Sequence, residues 1–318
     1  MKVTEYIAQA DKTLVSFEIL PPQKGQSIKE LYKMLDPLME FSPPFINVTY
    51  HRSEYIFKRN ADATFIKVPV RKRPGTVGIC SAIRYRYKVD TVPHLICGGF
   101  TKDATEDALI DLHYLGINNV LALRGDPMKS ENEFIPTTGG HSYASELVQQ
   151  IAYMNKGVFL DENLRSTFKT DFCIGVAGYP EKHFEAPNMK TDLRNLKAKI
   201  DAGAHYIMTQ MFYDNQKFFA FVQQCREEGI TVPIIPGLKP ITSIRQLSSI
   251  PRFFKIDIPA DLADAMEKCK DDAEAVVEVG KEWCIAQSKE LVAAGVPCVH
   301  FYTMGRVDTF VDIARAVF

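Results

Sequence analysis

Eight apolar runs of strand length recur along the chain, each separated from the next by a stretch with room for a helix. They fall at 14–20 (LVSFEIL), 45–50 (FINVTY), 92–97 (VPHLIC), 118–124 (NNVLALR), 172–179 (FCIGVAGY), 205–211 (HYIMTQM), 232–237 (VPIIPG) and 297–303 (PCVHFYT). Near-continuous apolar runs, rather than clean alternations, are the mark of parallel strands covered by helices. Between them, Met189, Leu193, Leu196 and Ile200 form one apolar helical stripe, and Phe218, Phe221, Val222 and Cys225 form another. Gly116, Gly203, Gly229 and Gly295 each stand between a helical pattern and the next strand, where a left-handed residue stops a helix. Asp103 with Glu106 three residues on reads as a helix-starting capping pair. The alternation predicts an α/β fold, a single (β/α)8 TIM barrel over residues 1–318. A doubly wound open sheet is the alternative. Against it, the chain has no G-x-G-x-x-G after a strand, no G-x-x-x-x-G-K-[ST] and no Ser/Gly/Pro-rich linker.

The 318 residues exceed the roughly 250 that such a barrel needs. Three polar stretches, near 51–90, 127–142 and 157–170, read as insertions that account for much of the excess. Lys and Arg number 38 against 39 Asp and Glu, a net charge of −1, which argues against a protein built to coat nucleic acid. That near-zero value hides a +7 balance in 51–90, where ten basic residues face Glu54, Asp62 and Asp90. No basic stretch leading into an apolar run opens the chain, and no apolar stretch approaches the roughly 18 residues of a membrane span. Seven cysteines, an odd number without a C-x-x-C pair, predict reduced thiols in the cytoplasm rather than a disulfide framework or a zinc site.

Barrel active sites form at the C-terminal ends of the strands. In the first run Ser16, Glu18 and Leu20 share one face, which places the Glu18 carboxyl in the lumen. Burial there would raise its pKa and make it a proton donor; a strand-end charge exposed to water is the alternative. Other strand ends carry Thr49-Tyr50-His51, His94 and Cys97, Arg124-Gly125-Asp126, Tyr179-Pro180-Glu181 with His183, Thr209-Gln210, and His300 and Tyr302 followed by Arg306. Polar groups converging on so many strand ends suit a ligand-filled mouth. Asp192, Asn195 and Lys199 form a polar helical stripe, either a solvated face or a donor and acceptor row for ribose hydroxyls and phosphates. There is no H-E-x-x-H, no cluster of metal ligands and no G-x-S-x-G elbow, so no metal is expected and a serine-triad hydrolase is not supported.

The ordered set VSFEILPP, NVTY, PHLIC, LALRGD, YASEL, AGYPEKH, DLRNLKAKIDAGA, TQMFYD, IIPGLKPI and HFYTMGR resembles the methylenetetrahydrofolate reductase family from about residue 14 to the C-terminus. The resemblance implies a (β/α)8 barrel that binds FAD noncovalently. It also implies that NADH or NADPH serves to convert 5,10-methylenetetrahydrofolate to 5-methyltetrahydrofolate, in one-carbon metabolism feeding methionine synthesis. Nicotinamide and folate would take turns against the flavin, which explains the missing dinucleotide fingerprint.

Carried over by motif, Glu18 resembles the general acid that protonates the folate N10, and Asp126 the acidic residue near the flavin's pyrimidine edge. The FAD set implied is Thr49, Tyr50, His94, Arg124, Gly125, Asp126, Tyr143, Ala144, Tyr179, His183, Ala186, Asp192, Asn195 and Lys199. Gln210, Gln246 and Arg306 resemble the folate-contacting residues. Ala198, Ile250 and Gly305 depart from the family pattern, at a basic, an aromatic and an Asn position respectively. A folate- or pterin-binding methyltransferase barrel and a flavin-binding barrel without turnover are the alternative readings. No regulatory domain follows the barrel, so control by S-adenosylmethionine is not expected. The implied partners are the folate and the nicotinamide nucleotide, with a homo-oligomer compatible and no nucleic acid or membrane.

Overall fold

The computed structural model describes residues 1–128, 131–304 and 307–318. The chain begins with α1 (Val3–Gln9), β1 (Leu14–Ile19), α2 (Ile28–Leu35) and β2 (Phe45–Val48). A hairpin of β3 (Glu54–Arg59) and β4 (Phe65–Val70) comes next, then α3 (Thr76–Tyr87), β5 (Asp90–Ile96), α4 (Lys102–Tyr114) and β6 (Asn119–Leu123). The middle of the chain forms α5 (Ala144–Met154), β7 (Cys173–Gly178), α6 (Met189–Asp201), β8 (Tyr206–Thr209) and α7 (Asn215–Glu227). It ends with β9 (Ile234–Ile235), β10 (Gly237–Leu238), α8 (Gln246–Phe254), α9 (Ala260–Lys268), α10 (Ala273–Ala293), β11 (Cys298–Tyr302) and α11 (Asp308–Val317).

Nine parallel strands run in the order β10-β11-β1-β2-β5-β6-β7-β8-β9. Pro236 alone separates β9 from β10, so these two short strands occupy one position and the sheet is a nearly closed (β/α)8 barrel. Proline offers no N–H to a ladder, which breaks the seventh strand there. Its carbonyl still accepts the His300 N–H at 2.9 Å and keeps the seam to β11.

The period-two alternation of the strands divides the core into two layers. Val15, Phe17 and Ile19 point outward and pack under the helices with Ile46, Val48, Val299 and Phe301. Phe45, Val92, Leu121, Cys173, Tyr206, Met208, Ile235 and Cys298 fill the lumen with Val3 of α1. Helix α1 therefore plugs the N-terminal end of the barrel. Its Val3 N–H donates to Asn119 Oδ1 at 2.8 Å, and Tyr6 Oη donates to Asp90 Oδ2 at 2.7 Å.

Gly116, Gly203, Gly229 and Gly295 all have positive φ, from +67° to +121°, one residue beyond the cap of their helices. The Asp103–Glu106 capping pair is corrected. The cap lies two residues earlier: helix α4 starts at Lys102, and Thr101 caps it by accepting the Ala104 N–H at 3.1 Å. Glu106 instead accepts the Leu160 N–H at 2.8 Å and pins the 157–170 stretch. Thr101→Ala is expected to cost about 1 kcal/mol in a urea unfolding midpoint, and Asp103→Ala about zero. Equal costs would return the cap to Asp103.

The 51–90 stretch is two things. Its first part is the β3–β4 hairpin; its second part, α3, is the helix that the second βα unit requires. All seven cysteines are free thiols, and six are buried. Among the described residues no helix is long and apolar enough to cross a membrane.

Candidate active site

Glu18 sits at the C-terminal end of β1, paired in register with Tyr302 on one side and Asn47 on the other. Its alternation partner Ser16 also faces inward, where Oγ lies 2.8 Å from His300 Nδ1. The Glu18 side chain is 14% exposed, and its Oε2 lies 3.4 Å from His94 Nε2. Burial pushes the Glu18 carboxyl up to about 8. Burial pulls the His94 imidazole down to about 3, with a smaller contribution from His51. Near neutral pH the two therefore meet as carboxylic acid and neutral imidazole, not as an ion pair. An acid proton is thus held at the floor of the mouth, where a neutral ring nitrogen can accept its hydrogen bond.

Beside this pair lies a polar floor of His300, already expected at a strand end, and Asn47, which sequence reasoning missed. Asn47 Nδ2 is 3.4 Å from His94 Nε2 and 3.5 Å from Met208 Sδ. Asn47 Oδ1 and His300 Nε2 are buried without a hydrogen-bond partner among the described residues. His300 is held neutral by burial, pulled down to about 3, with His94 adding to the effect. The signal for Asn47 was available: it lies two residues from Phe45 in a strand whose alternate positions face the lumen.

The ends of β6 and β7 form the next wall. Arg124 makes a fork-to-fork pair with Glu185, both contacts at 2.6 Å. This pair ties the β6 end to the loop before α6, and no periodicity links two residues 61 positions apart. Gly125 has φ +87°, and a Cβ there would press on Ile96 at 3.3 Å. The strand end is thus bare backbone beside the exposed Asp126. Tyr179 and His183 meet edge to face, with centroids 4.7 Å apart. The His183 N–H donates to Asp192 Oδ2 at 2.9 Å. Burial pushes the Tyr179 phenol up, and Asp126 and Asp192 reinforce the shift. Lys199 Nζ donates to the Ala177 carbonyl at 2.6 Å, and burial pulls its ammonium down to about 8.

The structure thus gathers Glu18, His94, Arg124, Gly125, Asp126, Tyr179, His183, Asp192 and Lys199 around one mouth. Other expected residues are placed at its edges. Thr49 Oγ1 donates to the Ile19 carbonyl at 3.4 Å, and Tyr50 packs on Phe100 with centroids 5.0 Å apart. Tyr143 is exposed as the residue before α5, and Ala144 opens that helix. Ala186 is buried and accepts a hydrogen bond from Lys182 Nζ at 2.6 Å. Asn195 is exposed on α6, apart from the inward-turned Asp192 and Lys199. Gln210 Oε1 accepts the Met211 N–H at 2.9 Å, and Gln246 Oε1 accepts the Thr242 N–H at 2.6 Å. Arg306 lies outside the described residues.

A family model described as methylenetetrahydrofolate reductase matches residues 2–317. The chain belongs to the methylenetetrahydrofolate reductase family. Methylenetetrahydrofolate reductase 1 of Schizosaccharomyces pombe is 33% identical over 308 residues, which cover 96% of this chain and 46% of that one. The chain therefore spans about half the length of that relative. The 5,10-methylenetetrahydrofolate reductase of Escherichia coli is 32% identical over 296 residues, 92% of this chain and 87% of that one. A solved structure from Clostridium thermocellum, a protein that binds two copies of 5-methyl-5,6,7,8-tetrahydrofolic acid, aligns with a TM-score of 0.56 at 16% identity. It covers 99% of this chain and 98% of its own. That likeness shows the shared barrel.

Within this methylenetetrahydrofolate reductase family chain, two of the three departures are described. Ala198 is exposed on α6. Ile250 is buried with Met211, Tyr213, Ile241 and Met266, in an apolar cluster beside the mouth. Gly305 lies outside the described residues.

Proposed function

We propose that this chain reduces 5,10-methylenetetrahydrofolate to 5-methyltetrahydrofolate with electrons from NADH or NADPH, and that FAD binds noncovalently at the mouth. The observation that carries this reading is the Glu18 carboxyl, buried at the strand end against a neutral His94. Opening the methylene bridge needs a proton on N10, and a carboxyl kept protonated near pH 7 can supply it. The N5 iminium left behind is then open to reduction. Asp126 carries a negative charge on the same face and can hold that cation.

The residues present fit a flavin on the donor set and on the bare Gly125 end of β6, where a side chain would crowd Ile96. Bound there, FAD supplies the hydride transfer that protein side chains lack. Arg124 is already held by Glu185, so it braces the wall. Lys199 has further N–H groups beyond its bond to Ala177, and these suit a phosphate. Asp192 is an acceptor for hydroxyls. Thr49, Tyr50, His94, Tyr143, Ala144, Tyr179, His183, Ala186 and Asn195 complete the set, and Gln210, Gln246 and Arg306 are assigned to the folate. The folate ligand of the Clostridium thermocellum protein supports a folate site on this fold. Reduced, buried thiols suit a cytoplasmic enzyme supplying methyl groups for methionine synthesis.

The test is anaerobic mixing of the yellow protein. NADH or NADPH is expected to bleach the flavin, and methylenetetrahydrofolate to restore its colour. A colourless protein that gains no activity with added FAD would overturn the reading. Bleaching without recovery would point to a flavin barrel lacking folate turnover.

A further inference from the structure

Among the described residues no third strand pairs with the β3–β4 hairpin. Its register sets Tyr55 opposite Pro69, Phe57 opposite Lys67 and Arg59 opposite Phe65, all on one face. Phe57 is 71% exposed and Phe65 64%, and Lys67 Nζ lies 4.1 Å over the Tyr55 ring. A two-stranded hairpin with an uncovered aromatic face is marginal in water. Its base is nonetheless fixed to the barrel. Arg52 pairs with Glu131 at 2.6 Å, both side chains nearly buried, and the Lys24 N–H donates to the Lys72 carbonyl at 2.7 Å. The result is a held arm presenting aromatic and cationic side chains outward.

We propose that this arm seats on the acidic face of α9 and α10 of a second copy of this chain, each copy's arm reaching the other. Charge complementarity selects this occupant. Residues 51–75 hold seven basic residues against Glu54 and Asp62, a balance of +5. Residues 260–282 hold eight acidic against three basic residues, a balance of −5. Asp261, Asp264, Asp271, Glu274 and Glu282 are exposed and have no cation partner among the described residues. Arg59 and Lys67, on the same face as Phe57, likewise form no ion pair with a carboxylate among the described residues. Phe253, 71% exposed at the end of α8, lies just before the acidic stretch and adds an apolar contact. Aromatic and Arg side chains ringed by charge are the composition of protein interfaces. A polyanion is the poorer partner, because the rest of the chain is net acidic. Reciprocal contacts close the assembly with two-fold symmetry.

Sedimentation velocity over a protein concentration series tests this. Reversible self-association that weakens as salt rises is expected. Phe57→Asp is expected to weaken it about thirtyfold or more, the threshold of a hot-spot side chain. A charge swap is the sharper measurement. Arg59→Glu/Lys67→Glu in one protein and Asp261→Lys/Asp264→Lys in another should each abolish self-association. Mixing the two should restore it, because both contacts are then complementary again. All four positions are exposed, and circular dichroism checks each fold. A wild type that stays monomeric, variants that associate as the wild type does, or a mixture that stays apart would each overturn the proposal. Binding to single-stranded RNA or anionic vesicles in place of self-association would also overturn it.

Discussion

Glu18→Gln is expected to lower folate reduction by about 10²–10⁴-fold, the range for losing a positioned general acid. The amide keeps the shape and the burial but has no acid proton to give. Oxidation of reduced nicotinamide with a quinone acceptor should persist, because that reaction needs no proton on N10. In the wild type, folate reduction should decline as pH rises through about 8, where the carboxyl ionises. The same shift predicts a stability effect with a definite sign. The folded-state pKa of Glu18 lies above its ordinary 4.5, so the folded chain holds this proton more tightly than the unfolded chain does. That contribution is complete below about 4.5 and is lost as pH rises through about 8. Glutamine cannot ionise, so the melting temperature of Glu18→Gln relative to wild type should climb across that window. Equal loss of both half-reactions, or a melting difference that ignores pH, would remove Glu18 from the acid role.

The luminal position of Glu18 could be read from the sequence because strand alternation is strict: one register decides every side chain of β1. The barrel was legible for a related reason. Parallel strands buried on both faces are continuous apolar runs, and each observed barrel strand lies in one of the eight runs or overlaps it. What escaped were features with no period of their own. Helix α1 is seven residues long, too short for an apolar stripe, and its role as a plug depends on Asn119 and Asp90 far along the chain. The hairpin exposes both apolar and basic side chains, so its residues show no inside and outside. Asp192, Asn195 and Lys199 share a helical spacing, yet only Asp192 and Lys199 turn inward. Asp192 is drawn in by the His183 N–H and Lys199 by the Ala177 carbonyl, partners that spacing alone cannot name.

Gly280→Ala should destabilise the protein, against the ordinary trend for a helix interior. Gly280 lies inside the 21-residue α10, where alanine is normally favoured by about 1 kcal/mol. Here a Cβ would run into the Ile241 carbonyl oxygen, with the carbonyl carbon at 2.8 Å and Met266 Cε at 3.0 Å. The obstacle is backbone, which cannot swing aside as a side chain tip would. Nor can α10 retreat locally, because Val276, Cys284, Gln287, Ser288 and Leu291 are buried along the same helix. Overpacking of this kind costs about 1–3 kcal/mol, and a rigid neighbour places it at the upper end or beyond. The clash therefore exceeds the gain in propensity. Ile241 also begins the segment that carries Thr242 and Gln246, so displacement there should raise the KM for folate more than it lowers kcat. A urea unfolding midpoint and steady-state kinetics check both effects. An alanine variant more stable than wild type would mean that α10 and the Ile241 segment are not in contact as described.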